Sequence, residues 1–89
     1  MTEVILDGEE MDSIYTAHKY LASKLNFPDY YGENLDALWD ILSTVSEPTK
    51  IQLKNEDKLV YCLGDYAKSL LQVIYEAAEV NDKIILCDR

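Results

Sequence analysis

Lysine and arginine are scarce in this sequence, and none stands between Lys24 and Lys50. Eight basic residues against seventeen acidic ones leave a net charge of −9. That shortage argues against binding DNA, RNA or an anionic membrane through their phosphates, because such contacts need cationic side chains. It favours a basic partner, although charge also serves solubility and by itself identifies nothing. Histidine occurs once, at position 18, and cysteine twice, at 62 and 87. Two cysteines in the apolar settings "LVYCLG" and "IILCDR" have no metal-type spacing and read as buried free thiols rather than a disulfide or a zinc site. No apolar run reaches transmembrane length, and "MTEVILDGEE" has neither the basic start nor the apolar stretch of a signal peptide. A cytoplasmic protein is expected. Repeats, low-complexity tracts and linkers are also absent, so the 89 residues are expected to form a single domain over 1–89.

What is present is enough apolar residue for a core, 48% of the chain. "TEVIL" (2–6) reads as a strand and "DGEE" as the turn after it. Asp12 is a candidate N-cap for a helix over about 13–25, with Ile14, Ala17, His18, Leu21 and Leu25 along one face. His18 on that stripe reads as a packed core residue with one satisfied hydrogen bond. Phe27-Pro28 ends the helix. A second helix spans about 34–44, and "KIQLK" (50–54) reads as a strand. Asn55 as N-cap, Glu56 and Asp57 in the positive first turn and Gly64 as stop mark a short helix. A longer one follows over about 66–80, with Leu70, Val73, Ile74 and Ala77 inward, and "KIILC" (83–87) is the last strand. Helices between strands imply parallel pairing through right-handed crossovers. The predicted fold is therefore α/β, a three-stranded parallel sheet packed with about four helices, with the first strand in the middle.

The segment "DYYGENLDALWD" (29–40) concentrates aromatics and four acids where no basic residue balances them. Asn34 can cap a helix beginning at Leu35, with Asp36 in its positive first turn. At 100° per residue, Leu35, Leu38, Trp39 and Leu42 share one face, while Asp36, Asp40 and Ser43 share another and Trp39 lies on the border. Asp36 and Asp40 are like charges one turn apart, which costs roughly 0.2–0.5 kcal/mol in an isolated helix. Tyr30 and Tyr31 precede the helix in a loop that Gly32 allows to turn sharply. Rigid aromatics around carboxylates suit a protein interface. A capped amphipathic helix whose tyrosines cover the core fits the spacing equally well. Catalysis or metal binding by the two carboxylates lacks a nearby histidine and a cleft. A calcium loop is excluded: the third position is Tyr31, the glycine is fourth rather than sixth, and the twelfth residue is Asp rather than Glu. No metal or cofactor is expected.

"FPDYYGENLDALWDIL" (27–42) resembles the signature segment of the barstar family, small intracellular inhibitors of secreted bacterial ribonucleases. "VILDGEEMDSI" near the start, "LLQVIYEAAE" (70–79) and the apolar final strand extend the resemblance over most of the chain, leaving about 45–66 poorly matched. The resemblance implies a three-stranded parallel sheet packed with helices, and an acidic helix and preceding loop that plug a ribonuclease active site. Asp40 would then match the family's central aspartate, standing in for a substrate phosphate, and Asp36 the second acidic contact. Tyr30 would match the tyrosine that packs on the nuclease's catalytic histidine. Tyr31, Gly32 and Asn34 would be its loop neighbours, and Glu76 a further acidic contact to a nuclease arginine. Trp39 and Ser43 border the same surface. Where the family often has Thr-Gly-Trp after the helix, this chain has Ser43-Thr44-Val45, and its cysteines stand at different places.

The expected function is a non-enzymatic inhibitor that occludes a basic, extracellular-type ribonuclease one-to-one, is monomeric when free, and binds neither nucleic acid nor membrane. The alternative is a non-inhibitory binding module of the same fold for another basic protein. An enzyme would need a nucleophile–base pair or cleft signature that the sequence lacks.

Overall fold

The computed structural model describes residues 2–87; the expected domain 1–89 extends past these by Met1, Asp88 and Arg89, which lie outside the described residues. Strand β1 (Thr2–Asp7) leads through a short 3-10 turn to helices α1 (Ile14–Leu25) and α2 (Leu35–Ser43). Strand β2 (Thr49–Lys54), helices α3 (Glu56–Leu63) and α4 (Asp65–Val80) and strand β3 (Ile84–Leu86) follow. This is the expected α/β order of three parallel strands and four helices.

The strand order differs from expectation. β2, not β1, is central, pairing with β1 from Thr2↔Thr49 to Asp7↔Lys54 and with β3 from Thr49↔Ile84 to Ile51↔Leu86. The physical reason lies in burial. A central first strand would make the two crossovers step in opposite directions, and right-handedness would then put a helix pair on each face of the sheet. Instead both crossovers step the same way and one face stays open. Thr49, Ile51 and Leu53 are buried, while Lys50 and Gln52 between them are half-exposed and Ile5 and Ile85 are exposed. The alternation in "KIQLK" is the mark of such a one-sided sheet.

The outer edge of β1 is partly covered. The Tyr20 hydroxyl on α1 accepts from the Asp7 N–H at 3.0 Å and donates to the Ile5 carbonyl at 3.3 Å. These groups point away from β2 and would otherwise await a strand partner.

Helix ends differ in detail from the sequence reading. Ser13, not Asp12, caps α1, its hydroxyl accepting from the Thr16 N–H at 3.1 Å. Ile14, the first residue of that helix, is exposed, whereas Ala17, His18 and Leu21 are buried. It sits a turn before the stretch that meets the core. Asn55 stands at the α3 cap position with φ 55° and makes no side-chain cap bond. Its amide instead donates to Asp7 Oδ1 at 2.8 Å, tying the end of β2 to the end of β1. That bond, with one from the Glu9 N–H, holds the Asp7 carboxyl below the usual carboxylate range. Gly64, between α3 and α4, takes φ 60° and ψ −133°, a conformation that suits glycine.

The core is one cluster in which Leu6, Leu21, Leu38, Leu42, Ile51, Leu70 and Ile74 are almost wholly buried. Both cysteines are free, as expected, but neither is buried: Cys62 is exposed and Cys87 is half-buried. In α3, Leu59 is the buried residue, and at 100° per residue Cys62 falls outside the face it shares with Leu63 and Val60.

Candidate protein-binding face

Asn34 begins α2 from an extended backbone with φ −144°. Its Oδ1 accepts from the Ala37 N–H at 2.8 Å, and its Nδ2 donates back to the Gly32 carbonyl at 3.2 Å. One amide therefore fixes both the helix start and the loop before it. Along α2, Leu38 and Leu42 are buried and Leu35 and Trp39 half-buried. Asp36 and Asp40 are exposed and Ser43 is half-buried. The helix presents the packing side and acidic side that its spacing predicts, with Trp39 between them. At the far end, Asn81 Nδ2 on the C-cap of α4 donates to the carbonyls of Leu42 and Val45 at 2.9 and 3.0 Å.

Among the described residues, the acidic side makes no ion pair. Ion pairs join Lys19 to Glu33, Lys50 to Glu3 and Lys68 to Asp65; among the described residues none involves Asp36, Asp40 or Glu76. Asp36 gains from the positive N-terminal end of α2. Asp40 does not. It lies in the last turn of a nine-residue helix, near the negative carbonyl end and one turn from Asp36. The Ser43 and Thr44 hydroxyls donate to the Asp40 carbonyl at 3.3 and 2.7 Å, which serves the helix end but not the carboxylate. Glu76 is exposed on α4 and accepts from Gln72 Nε2 at 2.9 Å.

The two tyrosines part company. Tyr30 is 86% exposed and Tyr31 9%. Tyr31 turns inward, edge-on to Phe27 with ring centroids 4.8 Å apart, and its hydroxyl lies 2.7 Å from His18 Nδ1. The other imidazole nitrogen, Nε2, lies 2.6 Å from the Tyr66 hydroxyl on α4. His18 is the expected core residue, but with two partners rather than one. Burial holds its imidazole below the ordinary value of 6.5, against a weaker opposing pull from Glu33. Burial also raises the Tyr31 hydroxyl well above the ordinary tyrosine range, helped by Tyr66 and Glu33. Gly32 is exposed, but the left-handed turn is made by Glu33, at φ 56°. What Gly32 supplies is room, since a Cβ there would stand 3.3 Å from the Ala37 Cβ. Glu33 reaches Lys19 on α1 at 2.6 Å, a second tie on the loop that also raises the proton affinity of that ammonium.

Beside Tyr30, a groove of about 400 Å³ runs between the ends of α1 and α2, lined by Lys24, Phe27, Pro28, Ile41, Thr44, Val45 and others. The departures from the family pattern at Thr44 and Val45 fall on this groove. The sequence reading missed Asn81, Tyr66 and the Lys19–Glu33 tie as residues that position this surface. Asn81 alone carried a signal, as a polar residue just past a long helix.

This face offers carboxylates on a rigid helix, one exposed tyrosine and a border tryptophan, an arrangement suited to a cationic protein surface. It is poorly suited to proton transfer, because the sole histidine is buried with both nitrogens engaged. The comparisons with known proteins identify the family. The family model described as "Barstar (barnase inhibitor)" matches residues 1–86. The chain is also 48% identical over 80 residues to a protein of Bacillus subtilis (strain 168) named "Putative ribonuclease inhibitor YrdF", covering 89% of this chain and 88% of that one. With a family match over nearly its whole length and a relative at that identity, on a parallel α/β fold that the resemblance anticipates, this chain belongs to the barstar family.

Proposed function

We propose that this protein is a non-enzymatic inhibitor of a basic, extracellular-type ribonuclease, and that it acts one-to-one by covering the nuclease active site. Asp36, Asp40 and Glu76 supply the charge, and Tyr30, Trp39, Ser43 and the Tyr31–Asn34 loop shape the contact. The observation that carries the reading is Asp40. Its carboxylate is exposed, lies beside a like charge at the wrong end of the helix dipole, and has no cation among the described residues. A ribonuclease active site, built to hold phosphate, offers the concentrated positive field that such a face lacks. Family membership and the relative's printed name support the same reading. The described helices include none long and apolar enough to cross a membrane, and the proposed site of action is the cytoplasm.

RNA hydrolysis by a purified basic secreted ribonuclease, such as barnase, tests the proposal. Activity should fall linearly with added protein to a sharp endpoint near equimolar, and the emission of Trp39, the sole tryptophan, should shift in step. Hydrolysis that continues at large excess counts against inhibition of that enzyme. A second reading, a binding module for another basic protein, draws on the groove lined by Thr44 and Val45 beside the acidic face. A pull-down from the organism's secreted proteins separates the two. A small basic ribonuclease in the eluate supports the first reading, and only unrelated basic proteins the second.

A further inference from the structure

Sheets whose strands pair only in parallel are rarely left open to water, because the helices of their crossovers usually cover both faces. Here both crossovers pass over the same side, and the other face of the sheet is bare. Alternate side chains of a strand share a face. Along β1 the bare face therefore carries Glu3, Ile5 and Asp7, and along β2 it carries Lys50, Gln52 and Lys54. Ile5 is 49% exposed, and Ile85, which neighbours Lys50 on β3, is 40% exposed.

Charge sets this face apart from the rest of the chain. Its two acids, Glu3 and Asp7, cancel its two lysines, so the whole net charge of −9 belongs to residues elsewhere. The charges also stand in rows. The strand register puts Glu3 beside Lys50, Ile5 beside Gln52 and Asp7 beside Lys54. β1 is thus an acidic row with an isoleucine at its middle, and β2 a basic row with a glutamine at its middle. These rows are self-complementary. A half-turn about an axis that runs along the strands, midway between β1 and β2, places the β2 of a second copy over this β1 at the same level. Glu3 then meets Lys50 of the second copy and Asp7 meets its Lys54. Ile5 enters the second copy's hollow of about 310 Å³, which Gln52 and Lys50 help to line. A half-turn about an axis across the strands does the opposite, setting acid on acid and lysine on lysine. Packed sheets lie about 10 Å apart and about 30° out of line, an offset that lysine stems can span at the ends of short strands.

We propose that the open face of the sheet is a self-association surface, on which a second copy of this chain packs its own sheet with the acidic row of β1 over the basic row of β2. The contact uses the same patch on both copies and closes at two. It is also weak. Strands about 4.8 Å apart and rising about 3.3 Å per residue give a patch on the order of a few hundred Å², well under the roughly 800 Å² per partner of a stable complex. Dilute chain therefore stays monomeric, and pairs form as concentration rises. α2 packs on the other side of the sheet, so each copy keeps Asp36 and Asp40 exposed. The inference is independent of the nuclease reading.

Sedimentation equilibrium of the free chain from about 10 µM to about 1 mM tests the proposal, over the range in which so small a contact forms. At about 0.15 M salt the Debye length is about 8 Å, so the acids on the two distant helical sides are screened from each other while charges touching across the sheets are not. The data should fit a reversible monomer–dimer equilibrium with nothing larger. Lys50→Glu sets acid against acid at both symmetry-related contacts and should weaken pairing at least about tenfold. Adding Glu3→Lys reverses both members of the contact and should restore pairing to within about threefold of the native chain. Isotope-filtered nuclear Overhauser effects in concentrated native chain should join the Ile5 methyls of one copy to the Gln52 side chain of the other. That measurement decides the geometry whatever the substitutions do to folding. A chain monomeric at the highest concentration would overturn the proposal and leave the face to another protein or to solvent. Association that grows past the dimer, intermolecular contacts on α2 instead of Ile5 and Gln52, or a folded charge-swapped chain that fails to pair would each overturn it as well.

Discussion

Replacing Asp40 with Asn removes one charge without changing side-chain size, at a position where the free protein gains nothing from that charge. Asp36 sits one turn away and the negative end of α2 lies alongside. Asp40→Asn should leave the urea midpoint unchanged or raise stability by up to about 0.5 kcal/mol, from relieved i,i+4 repulsion. Nuclease affinity should fall by about 3–5 kcal/mol, the usual cost of stripping one partner from a buried ion pair. A variant that unfolds, or that inhibits as well as the native chain, would make the carboxylate structural or irrelevant. His18 gives a second prediction at this scale. Its proton affinity is lower in the folded chain than the ordinary 6.5, so below that pH the unfolded chain binds a proton that the folded chain refuses. Stability should therefore decline as pH falls through about 6.5 and go on declining until the folded-state value is passed. His18→Gln should flatten the urea midpoint between about pH 7 and 5, a window above most carboxylate titrations.

At the scale of the element, α2 divides its labour between two faces, and substitutions on the buried face should behave oppositely to Asp40→Asn. Leu38 is fully buried, so Leu38→Ala should cost about 2–5 kcal/mol of stability. Molecules that still fold should keep most of their affinity, as urea melts paired with nuclease titrations would reveal. Strand β1 carries a different hazard. It is an edge strand, and Tyr20 occupies the Asp7 N–H and Ile5 carbonyl on its open side. Tyr20→Phe keeps the ring but frees both groups, and should increase concentration-dependent association on size exclusion. An elution profile unchanged from that of the native chain would mean that this strand edge is protected by other means. The elements were largely legible in the chain. Asn34 before an alternation of leucines and aspartates, and Gly64 between two helical runs, are local signals whose physics acts over a few residues. Tyr20 as an edge cover was not legible, because its partners lie 13 and 15 positions away.

For the whole molecule, a net charge of −9 and an acid-only window around α2 set up long-range attraction to a cationic partner. Raising salt from about 0.05 to about 0.5 M shortens the Debye length roughly threefold. Association measured by stopped flow should slow markedly, while dissociation changes less. Association rates indifferent to salt would remove electrostatic capture from the account. The open face of the sheet, with Ile5 and Ile85 exposed beside Glu3 and Lys50, belongs to this scale too. It exists because both crossovers pass over the same side.

The sequence by itself determined the element order, the two faces of α2 and the shortage of cations beside the acids, since each is written in spacing or composition that a few neighbouring residues can carry; the family was legible only as a resemblance carried by the segment 27–42 and the stretches around it. Tertiary structure decided what distant residues do together. Whether β1 or β2 is central depends on how the helix pairs fall across the sheet, although the alternation in "KIQLK" already hinted at an open face. Tyr30 and Tyr31 are adjacent in an irregular loop, where no period says which of them points inward; the choice went to the one that could reach His18. His18 in turn finds Tyr66 across 48 positions, and Asn81 finds Leu42 across 39. Helical and strand periodicities are local, with repeats of 3.6 and 2 residues, so they orient a side chain against its own element but not against a partner brought near only by the closing of the fold.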